Sequence, residues 1–389
     1  MQRTFSALES RGFDVLVIGG GITGAGIARD AVMRGMSVAI IDKGDWASGT
    51  SGASSRLIHG GIRYLERGQI GLVRESVRER EILLRIAPQL VKPLEFTWPV
   101  YRGARLPRWK VRLGLTVYDL LAGKRRVRRH KALDTPMVRD REPELRSDGL
   151  SGGASYFDAA TDDEALTRAT IQSATNLGAV AVDHAKAESS TTTGNRADGA
   201  IVRDTLGTDT VRVSARVVVS ATGPWQAKGT KGSHIVVPRA RIGNRGAVTL
   251  TAPDDGRVMF VLPLADRTIV GTTDIYTDES PDDVKASEAE IEYLLRAANF
   301  YFPDSILTRD DVVETWAGIR PLAAAPAGAN PSSISREHQI SRDASGVILV
   351  TGGKLTTYRS MAAEVVDEVE RELGRTVSRA PTDEVPLAV

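Results

Sequence analysis

Three glycines near the start of the chain, Gly19, Gly21 and Gly24, are followed by an acidic residue, Asp42, eighteen residues after the last of them. The apolar run at 14–18 predicts a strand, and the pattern after the glycines predicts a helix and a second strand that ends at Asp42. Glycines at these spacings let the backbone approach a pyrophosphate, and a helix N-terminus offers it unpaired N–H groups. An acidic residue at this distance suits hydrogen bonds from a ribose, so the sequence predicts a dinucleotide-binding unit.

Two later strands also run into glycines. Residues 347–350 predict a strand that is followed by a glycine pair and a helix, and 217–219 predict a buried strand with a glycine shortly after its end. A helix N-terminus behind a glycine turn can point at an anionic group. The candidate ligand-binding residues of these turns are Gly223, Gly353, Lys354, Leu355 and Thr356.

Residues 48–63 form a segment rich in glycine and serine, which allows backbone groups to come close to a ligand. A flexible linker is the alternative, but His59, Arg63 and Tyr64 at its end favour a binding loop. The candidate cofactor contacts in this loop are Thr50, Ser51, Ser54, Ser55 and Leu57.

Composition limits the remaining possibilities. The 389 residues are 41% hydrophobic and 26% charged, which is typical of a globular protein long enough for two domains. The absence of cysteine excludes disulfides, thiolate metal sites and a cysteine nucleophile. We therefore predict no metal site, and redox chemistry would need an organic cofactor. Residues 1–12 are polar and no apolar run approaches the ~20 residues of a spanning helix, so we expect neither a signal peptide nor a membrane span.

Positive charge is concentrated in residues 102–131, which hold eleven Lys or Arg residues against one Asp. Apolar residues such as Trp109 and Leu113 alternate with these charges. Such a segment can lie at an anionic lipid surface, or it can be a solvated helix face with an apolar stripe packed on the core. We expect no binding of nucleic acid, because no recognition module is present.

Periodicity predicts further elements. Helical spacing covers 69–90, 162–177 and 287–300, and a closing helix runs to about 373. Strand-like segments at 234–237, 247–250, 258–262 and 268–271 predict an antiparallel sheet that is different in character from the first domain.

Six blocks of the sequence, in order along the chain, resemble the FAD-dependent glycerol-3-phosphate dehydrogenases. The blocks are residues 14–26, 54–66, 231–238, 271–274, 318–322 and 352–359.

The resemblance implies an α/β fold with two domains: a Rossmann-like FAD-binding domain built from discontinuous segments, and a substrate domain with an antiparallel sheet. We assign 13–60, 150–226 and 310–375 to the FAD-binding domain, and 61–149 and 227–309 to the substrate domain. A short tail at 376–389, expected to be loose, follows.

The resemblance also implies oxidation of sn-glycerol 3-phosphate to dihydroxyacetone phosphate, with FAD as cofactor and membrane quinone as electron acceptor. The expected location is cytoplasmic, peripheral on the inner face of the cell membrane. The oligomeric state is left open.

This reaction needs a base for the hydroxyl proton and cations for the phosphate. His234, in a matched block, is the predicted base, with an ordinary histidine pKa near 6.5 that suits proton abstraction around neutrality. The predicted phosphate ligands are Arg63, Arg320 and Arg336. Lys354 is predicted to polarise the substrate oxygen or to offset charge on reduced flavin, and Tyr64 to line the site.

Two departures from the family pattern keep other functions open. Family members usually carry a further helical C-terminal domain, and the connection between Trp225 and Lys231 is markedly longer in them. The alternatives are a related FAD-dependent oxidase or dehydrogenase of an amino or hydroxy acid, and a catalytically silent flavin-binding protein at a membrane surface.

Overall fold

The computed structural model describes residues 5–9, 11–123, 127–223, 229–320 and 337–387. Within these residues the helices are α1 Ile22–Met33, α2 Ile70–Ile86, α3 Arg108–Ala122, α4 Thr135–Arg141, α5 Asp163–Asn176, α6 Arg239–Ile242, α7 Glu288–Tyr301 and α8 Tyr358–Glu372. The strands are β1 Phe13–Ile18, β2 Val38–Ile41, β3 Leu57–Ile58, β4 Val91–Tyr101, β5 Lys131–Leu133, β6 Leu150–Thr161, β7 Val180–Val182, β8 Ala185–Thr193, β9 Arg196–Asp204, β10 Thr210–Ser220, β11 Gly229–Pro238, β12 Ala247–Thr251, β13 Val258–Leu264, β14 Arg267–Gly271, β15 Ile275–Thr277, β16 Glu314–Arg320, β17 His338–Arg342 and β18 Ile348–Gly352.

The first sheet has the strand order β17-β18-β10-β1-β2-β7, and β9 and β8 extend from β10. β1 pairs in parallel with β2 and β10, and β10 pairs in parallel with β18. Residues of α1, α5 and α8 form one core with this sheet, in which Ala25, Ile171 and Val365 pack with Val15 and Val217. Because the carboxyl ends of parallel strands lie at one edge of a sheet, the turns after β1, β10 and β18 are neighbours.

The second sheet has the order β15-β11-β14-β13-β12-β4-β6-β3, with β16 paired to β11 and β5 paired to β6. It is antiparallel except where β12 runs parallel to β4. α7 packs on one face, through a core that includes Leu294 and Ile235. α2 and α3 pack with residues of the other face, through a core that includes Val77, Leu115 and Val236. The predicted α/β architecture is confirmed. The central strands of the first sheet are parallel, β17 and β9 pair antiparallel with β18 and β10, and the second sheet is antiparallel except at β12 and β4.

The sheets divide the chain differently from the assigned segments at three strands. β3, within 13–60 and so assigned to the first domain, pairs with β6 in the second sheet. β6, within 150–226, and β16, within 310–375, were both assigned to the first domain, but they pair with β4 and β11 of the second sheet. The physical reason is pairing over a long sequence separation, which strand periodicity does not reveal.

The expectation of a loose tail is wrong for the described residues up to 387. Thr382 and Leu387 are each 2% exposed, and the amide of Leu387 donates to the carbonyl of Ile86 at 2.7 Å. The buried guanidinium of Arg29 donates to the carbonyl of Val385 at 2.8 Å. The tail therefore packs against α1 and the end of α2.

Candidate active site

The predicted glycine turn lies between β1 and α1 and admits no side chains at two of its positions. Gly19 has a φ of +115°, and a Cβ there would lie 2.8 Å from the carbonyl oxygen of Ala221, which follows β10. A Cβ on Gly24 would lie 1.9 Å from the carbonyl oxygen of Gly19. The turn is therefore closed tightly against both its own helix and the neighbouring strand end, as a dinucleotide cradle requires.

Asp42 directly follows β2, as predicted, and its carboxylate accepts hydrogen bonds from two backbone amides. Its Oδ2 accepts from the amide of Gly20 at 2.6 Å, and its Oδ1 accepts from the amide of Gly44 at 2.9 Å. Burial raises the pKa of Asp42, although these hydrogen bonds act in the opposite direction. Its predicted contact with a ribose stays a prediction. The ring of Trp46 packs directly over Gly20, where a Cβ would come within 2.2 Å of it.

The serine-rich loop contacts both sheets. Ser51 Oγ accepts from the amide of Ile22 at 2.9 Å, at the N-terminus of α1 beside Gly21. Thr50 Oγ1 donates to the carbonyl of Ile319 in β16 at 2.7 Å. Ser54 accepts through its carbonyl from the indole N–H of Trp316 at 3.1 Å. The loop is thus a bridge from the glycine turn to the second sheet, and the interpretation as a flexible linker is not supported.

His234 lies on β11 with its ring on the face that packs toward α2 and α3, because side chains alternate along the strand and Val236 belongs to that core. The ring is 2% exposed and stacks on Trp316, with ring centres 5.1 Å apart. Its Nε2 lies 2.8 Å from Ser55 Oγ. Ser55 was predicted to contact the cofactor, so its contact with the histidine is a finding that the sequence did not suggest.

The expected histidine pKa near 6.5 is wrong for His234. Burial, together with the positive charges of Arg320 and Arg56, lowers the pKa of His234 to about 3. The ring is therefore neutral at physiological pH. Its Nδ1 is buried and has no hydrogen-bond partner among the described residues.

This pKa predicts how acid affects stability. Between pH 6.5 and 3 the unfolded histidine binds a proton that the folded one does not, so the free energy of unfolding decreases as the pH falls through this window. His234 alone should remove about 2 kcal/mol between pH 7 and pH 5. Urea unfolding at both pH values should show a smaller loss for His234→Gln than for the wild type. Equal losses would contradict the lowered pKa.

Arg320 at the end of β16 is held by three consecutive residues after β14. Its guanidinium donates to Thr272 Oγ1 at 2.8 Å, to the carbonyl of Thr273 at 3.1 Å and to Asp274 Oδ1 at 3.2 Å. The guanidinium lies over Gly232, where a Cβ would be 2.0 Å from Nη2. Since Gly232 and His234 are two residues apart on β11, Arg320 and His234 share one face of the sheet.

Arg63, Tyr64 and Lys354 form a second group. The ammonium of Lys354 lies 4.0 Å from the centre of the Tyr64 ring, and the guanidinium carbon of Arg63 lies 5.2 Å from it. Lys354 also donates to Ser76 Oγ at 3.2 Å. Tyr64 and, more weakly, Asp274 raise the pKa of Arg63. Asp274 thereby links this group electrostatically to Arg320.

The turn after β18 contacts the loop that carries Arg63. Thr356 is 2% exposed, and its Oγ1 accepts from the amide of His59 at 3.1 Å and donates to its carbonyl at 3.2 Å. Gly353 has a φ of +85°, and a Cβ there would lie 2.8 Å from the sulfur of Met361. Leu355 belongs to the 3₁₀ turn that leads into α8.

Three predicted site residues remain to be located: Gly223, Leu57 and Arg336. Gly223 follows β10 with a φ of +78°, and no atom of the described residues lies within 4 Å of where its Cβ would be. Leu57 is 4% exposed and packs in the apolar core. Arg336 lies outside the described residues, as does Trp225.

Sequence reasoning missed Trp316 and Asp274. Trp316 stacks on His234 and receives the guanidinium of Arg56 at 5.3 Å from its ring centre. No local signal identified it, because its position opposite His234 is set by the pairing of β16 with β11. Asp274 lies within the matched block 271–274, but we assigned it no role from the sequence.

The fold and the turn define the class of protein. The model of the FAD dependent oxidoreductase family matches residues 14–367, and the chain belongs to this family. The predicted cofactor, FAD, is confirmed at this level.

Within this family the chain is similar to glycerol-3-phosphate dehydrogenases. It is 37% identical over 381 residues to the aerobic glycerol-3-phosphate dehydrogenase of Staphylococcus saprophyticus, covering 94% of this chain and 68% of that one. It is 32% identical to the glycerol-3-phosphate dehydrogenase of Bacillus halodurans, solved with FAD, at a TM-score of 0.79 over 97% of this chain and 68% of that one. The resemblance predicted from six blocks is confirmed.

A more distant structure shares the fold alone. The L-alpha-glycerophosphate oxidase of Mycoplasma pneumoniae, solved with FAD, is 15% identical at a TM-score of 0.71, covering 97% of this chain and all of that one. Among the described residues, no helix is long and apolar enough to span a bilayer.

Proposed function

We propose that this protein oxidises sn-glycerol 3-phosphate to dihydroxyacetone phosphate with FAD as hydride acceptor, and that the electrons pass to membrane quinone. The observation that carries the proposal is the loop 50–55. It contacts the N-terminus of α1 through Ser51 and the ring of His234 through Ser55. One short segment therefore places a dinucleotide cradle beside a buried histidine and a group of cations.

The residues present fit FAD. Cβ atoms at Gly19 and Gly24 would come within 3 Å of backbone oxygens, so the turn is built for close backbone approach. Gly19, Gly21, Gly24 and Asp42 would hold the adenosine and pyrophosphate part, and the turn at 353–356 would supply a helix N-terminus. Bound FAD supplies an acceptor for the hydride that leaves the alcohol carbon, which no side chain can provide.

The phosphate group of the substrate would be bound by Arg63 and Arg320. Guanidinium groups suit a phosphate dianion because they donate two hydrogen bonds in a fixed plane. Arg336 is proposed as a third ligand from its sequence alone. Lys354, whose ammonium lies 4.0 Å from the centre of the Tyr64 ring, would polarise the substrate oxygen.

His234 would receive the hydroxyl proton at Nδ1. If Nε2–H donates to Ser55 Oγ, the unpartnered Nδ1 carries the lone pair, and this tautomer is the one we propose. Burial, together with the positive charges of Arg320 and Arg56, keeps the ring neutral in the free protein. A bound dianion would offset those charges and make the ring a stronger base at the moment when a proton must be accepted.

Reduction rates test the substrate class. Stopped-flow reduction of the FAD-loaded protein should be fast with glycerol 3-phosphate and at least a hundredfold slower with glycine or lactate, because a phosphate dianion makes more charge-assisted hydrogen bonds than a carboxylate. The 37% identity to an aerobic glycerol-3-phosphate dehydrogenase also favours faster reduction by glycerol 3-phosphate than by glycine or lactate. Faster reduction by the amino or hydroxy acid would favour the alternative oxidase.

Helix α3 supports the proposal of a membrane surface on the cytoplasmic side. Its inner face, with Leu115 and Tyr118, is buried in the core. On its outer face Trp109 is 63% exposed and Leu113 is 58% exposed, and Arg112 is exposed beside them. An amphipathic helix with exposed apolar and basic side chains is suited to an anionic interface.

Vesicle sedimentation tests this surface. Binding to vesicles with anionic lipid should decrease several-fold between 0.05 and 0.5 M salt, about the range over which screening removes surface attraction. Trp109→Ala with Leu113→Ala should also weaken binding, whereas Leu206→Ala, which removes an exposed apolar side chain elsewhere, should leave it unchanged. Binding that is indifferent to salt and to the α3 pair would contradict the proposal.

A further inference from the structure

We propose that Asp274 is a positioning residue that orients Arg320 and fixes the charge of the pocket for a dianionic group; this rests on the proposed function. The side chain of Asp274 is 1% exposed. Its Oδ1 lies 3.2 Å from Arg320 Nη1, and its Oδ2 lies 3.6 Å from Arg257 Nη1. The carboxylate thus lies between two guanidinium groups, and it also acts on the charge of Arg63.

The segment that carries Asp274 is itself fixed. Thr273 Oγ1 donates to Glu290 Oε1 at 2.7 Å and accepts from the amide of Ser233 at 2.8 Å. Ser233 Oγ donates to the same carboxylate oxygen at 2.7 Å. Glu290 is 5% exposed and belongs to the capping box at the start of α7. Thr273, the middle of the three residues that hold Arg320, is therefore anchored to α7 from the opposite face of the sheet.

The negative charge of Asp274 acts on the guanidinium groups around it, which a neutral asparagine at this position would not do. Three guanidinium groups, of Arg63, Arg257 and Arg320, lie within the electrostatic reach of Asp274. One negative charge reduces their mutual repulsion and holds the Arg320 guanidinium in one orientation, while the three cations together keep the pocket attractive to a dianion. Asp274→Asn keeps the shape and one acceptor oxygen but removes this charge, so Arg320 is no longer held firmly.

Inorganic phosphate binding to the FAD-loaded protein, followed by tryptophan fluorescence, is the direct test. We expect Asp274→Asn to raise the dissociation constant for phosphate about tenfold and the KM for glycerol 3-phosphate by a similar factor, with a much smaller change in kcat. In the Arg320→Ala background the same substitution should change both constants less than twofold. Asp255→Asn is the matched control, because Asp255 contacts the other side of Arg257 and is 44% exposed.

An effect of Asp274→Asn that persists at full size in the Arg320→Ala background would overturn the proposal, as would wild-type affinity in the single variant. If Asp274→Asn lowers the melting temperature and loses FAD, Asp274→Glu, which keeps the charge, should restore phosphate affinity; failure to do so counts against the proposal. A wild-type protein that binds phosphate but is not reduced by glycerol 3-phosphate would sink the proposed function and leave the role of Asp274 standing.

Discussion

Arg320→Ala is expected to reduce kcat/KM for glycerol 3-phosphate by about 10³-fold while the protein keeps its FAD. Hydrogen bonds to charged groups contribute about 1.5–3 kcal/mol each, and a bidentate contact to phosphate loses two of them. Each 1.4 kcal/mol is a factor of about ten. Steady-state kinetics with an artificial electron acceptor measure the loss, and the flavin absorbance of the purified variant measures cofactor content.

Arg267→Ala is the matched control for Arg320→Ala. Arg267 lies on β14 of the same sheet, but it is 47% exposed and pairs with Glu314 at the surface. We expect its kcat/KM to stay within about twofold of the wild type, since exposed ion pairs contribute little. If Arg320→Ala were no worse than this control, Arg320 would not bind the substrate.

Gly24→Ala is expected to abolish stable FAD binding and to destabilise the fold by about 3 kcal/mol, the upper part of the range for overpacking. The added Cβ would lie 1.9 Å from the carbonyl oxygen of Gly19, so the glycine turn must open or α1 must move away from β1. The ratio of flavin to protein absorbance should fall below a tenth of the wild-type ratio, and urea unfolding should measure the stability.

Gly12→Ala is the matched control for Gly24→Ala. It tests whether replacing a glycine near β1 is enough to reduce FAD binding when no crowding results. Gly12 directly precedes β1, and a Cβ there would have nothing within 4 Å. We expect this variant to bind FAD as the wild type does. A Gly24→Ala protein with full flavin content would show that the turn does not hold the cofactor.

Local sequence features predicted the first sheet and its turns well. β1, α1 and β2 were readable because a parallel sheet buries continuous apolar strands and because a dinucleotide turn requires glycines at fixed spacings. Gly19, Gly24 and Asp42 therefore lie where they were expected.

The pairing of strands that lie far apart in the sequence could not be predicted from the sequence. The assignment of 150–226 and 310–375 to one domain ignored that β6 and β16 join the second sheet, because a strand carries no record of its distant partner. The same pairing brings Trp316 against His234 and Arg320 against the turn at 272–274. The tail was misjudged for a similar reason, since the burial of Leu387 depends on α2.

The environment of His234 also changes the chemistry expected from its residue type. His234 was predicted from its block and its type, but its pKa follows from burial and from Arg320 and Arg56, which only the folded chain brings near. The residue type identified a candidate base, and our proposal that Nδ1 accepts the proton rests on its having no hydrogen-bond partner among the described residues.

We expect the cations around Tyr64 and Arg320 to hold glycerol 3-phosphate where it can reduce bound FAD. Anaerobic titration of the FAD-loaded protein with glycerol 3-phosphate tests this most directly, with a water-soluble quinone added at the end. We predict that the flavin absorbance near 450 nm is lost at about one equivalent of substrate and returns when quinone is added. A fully loaded protein whose absorbance stays unchanged with excess glycerol 3-phosphate would contradict the account.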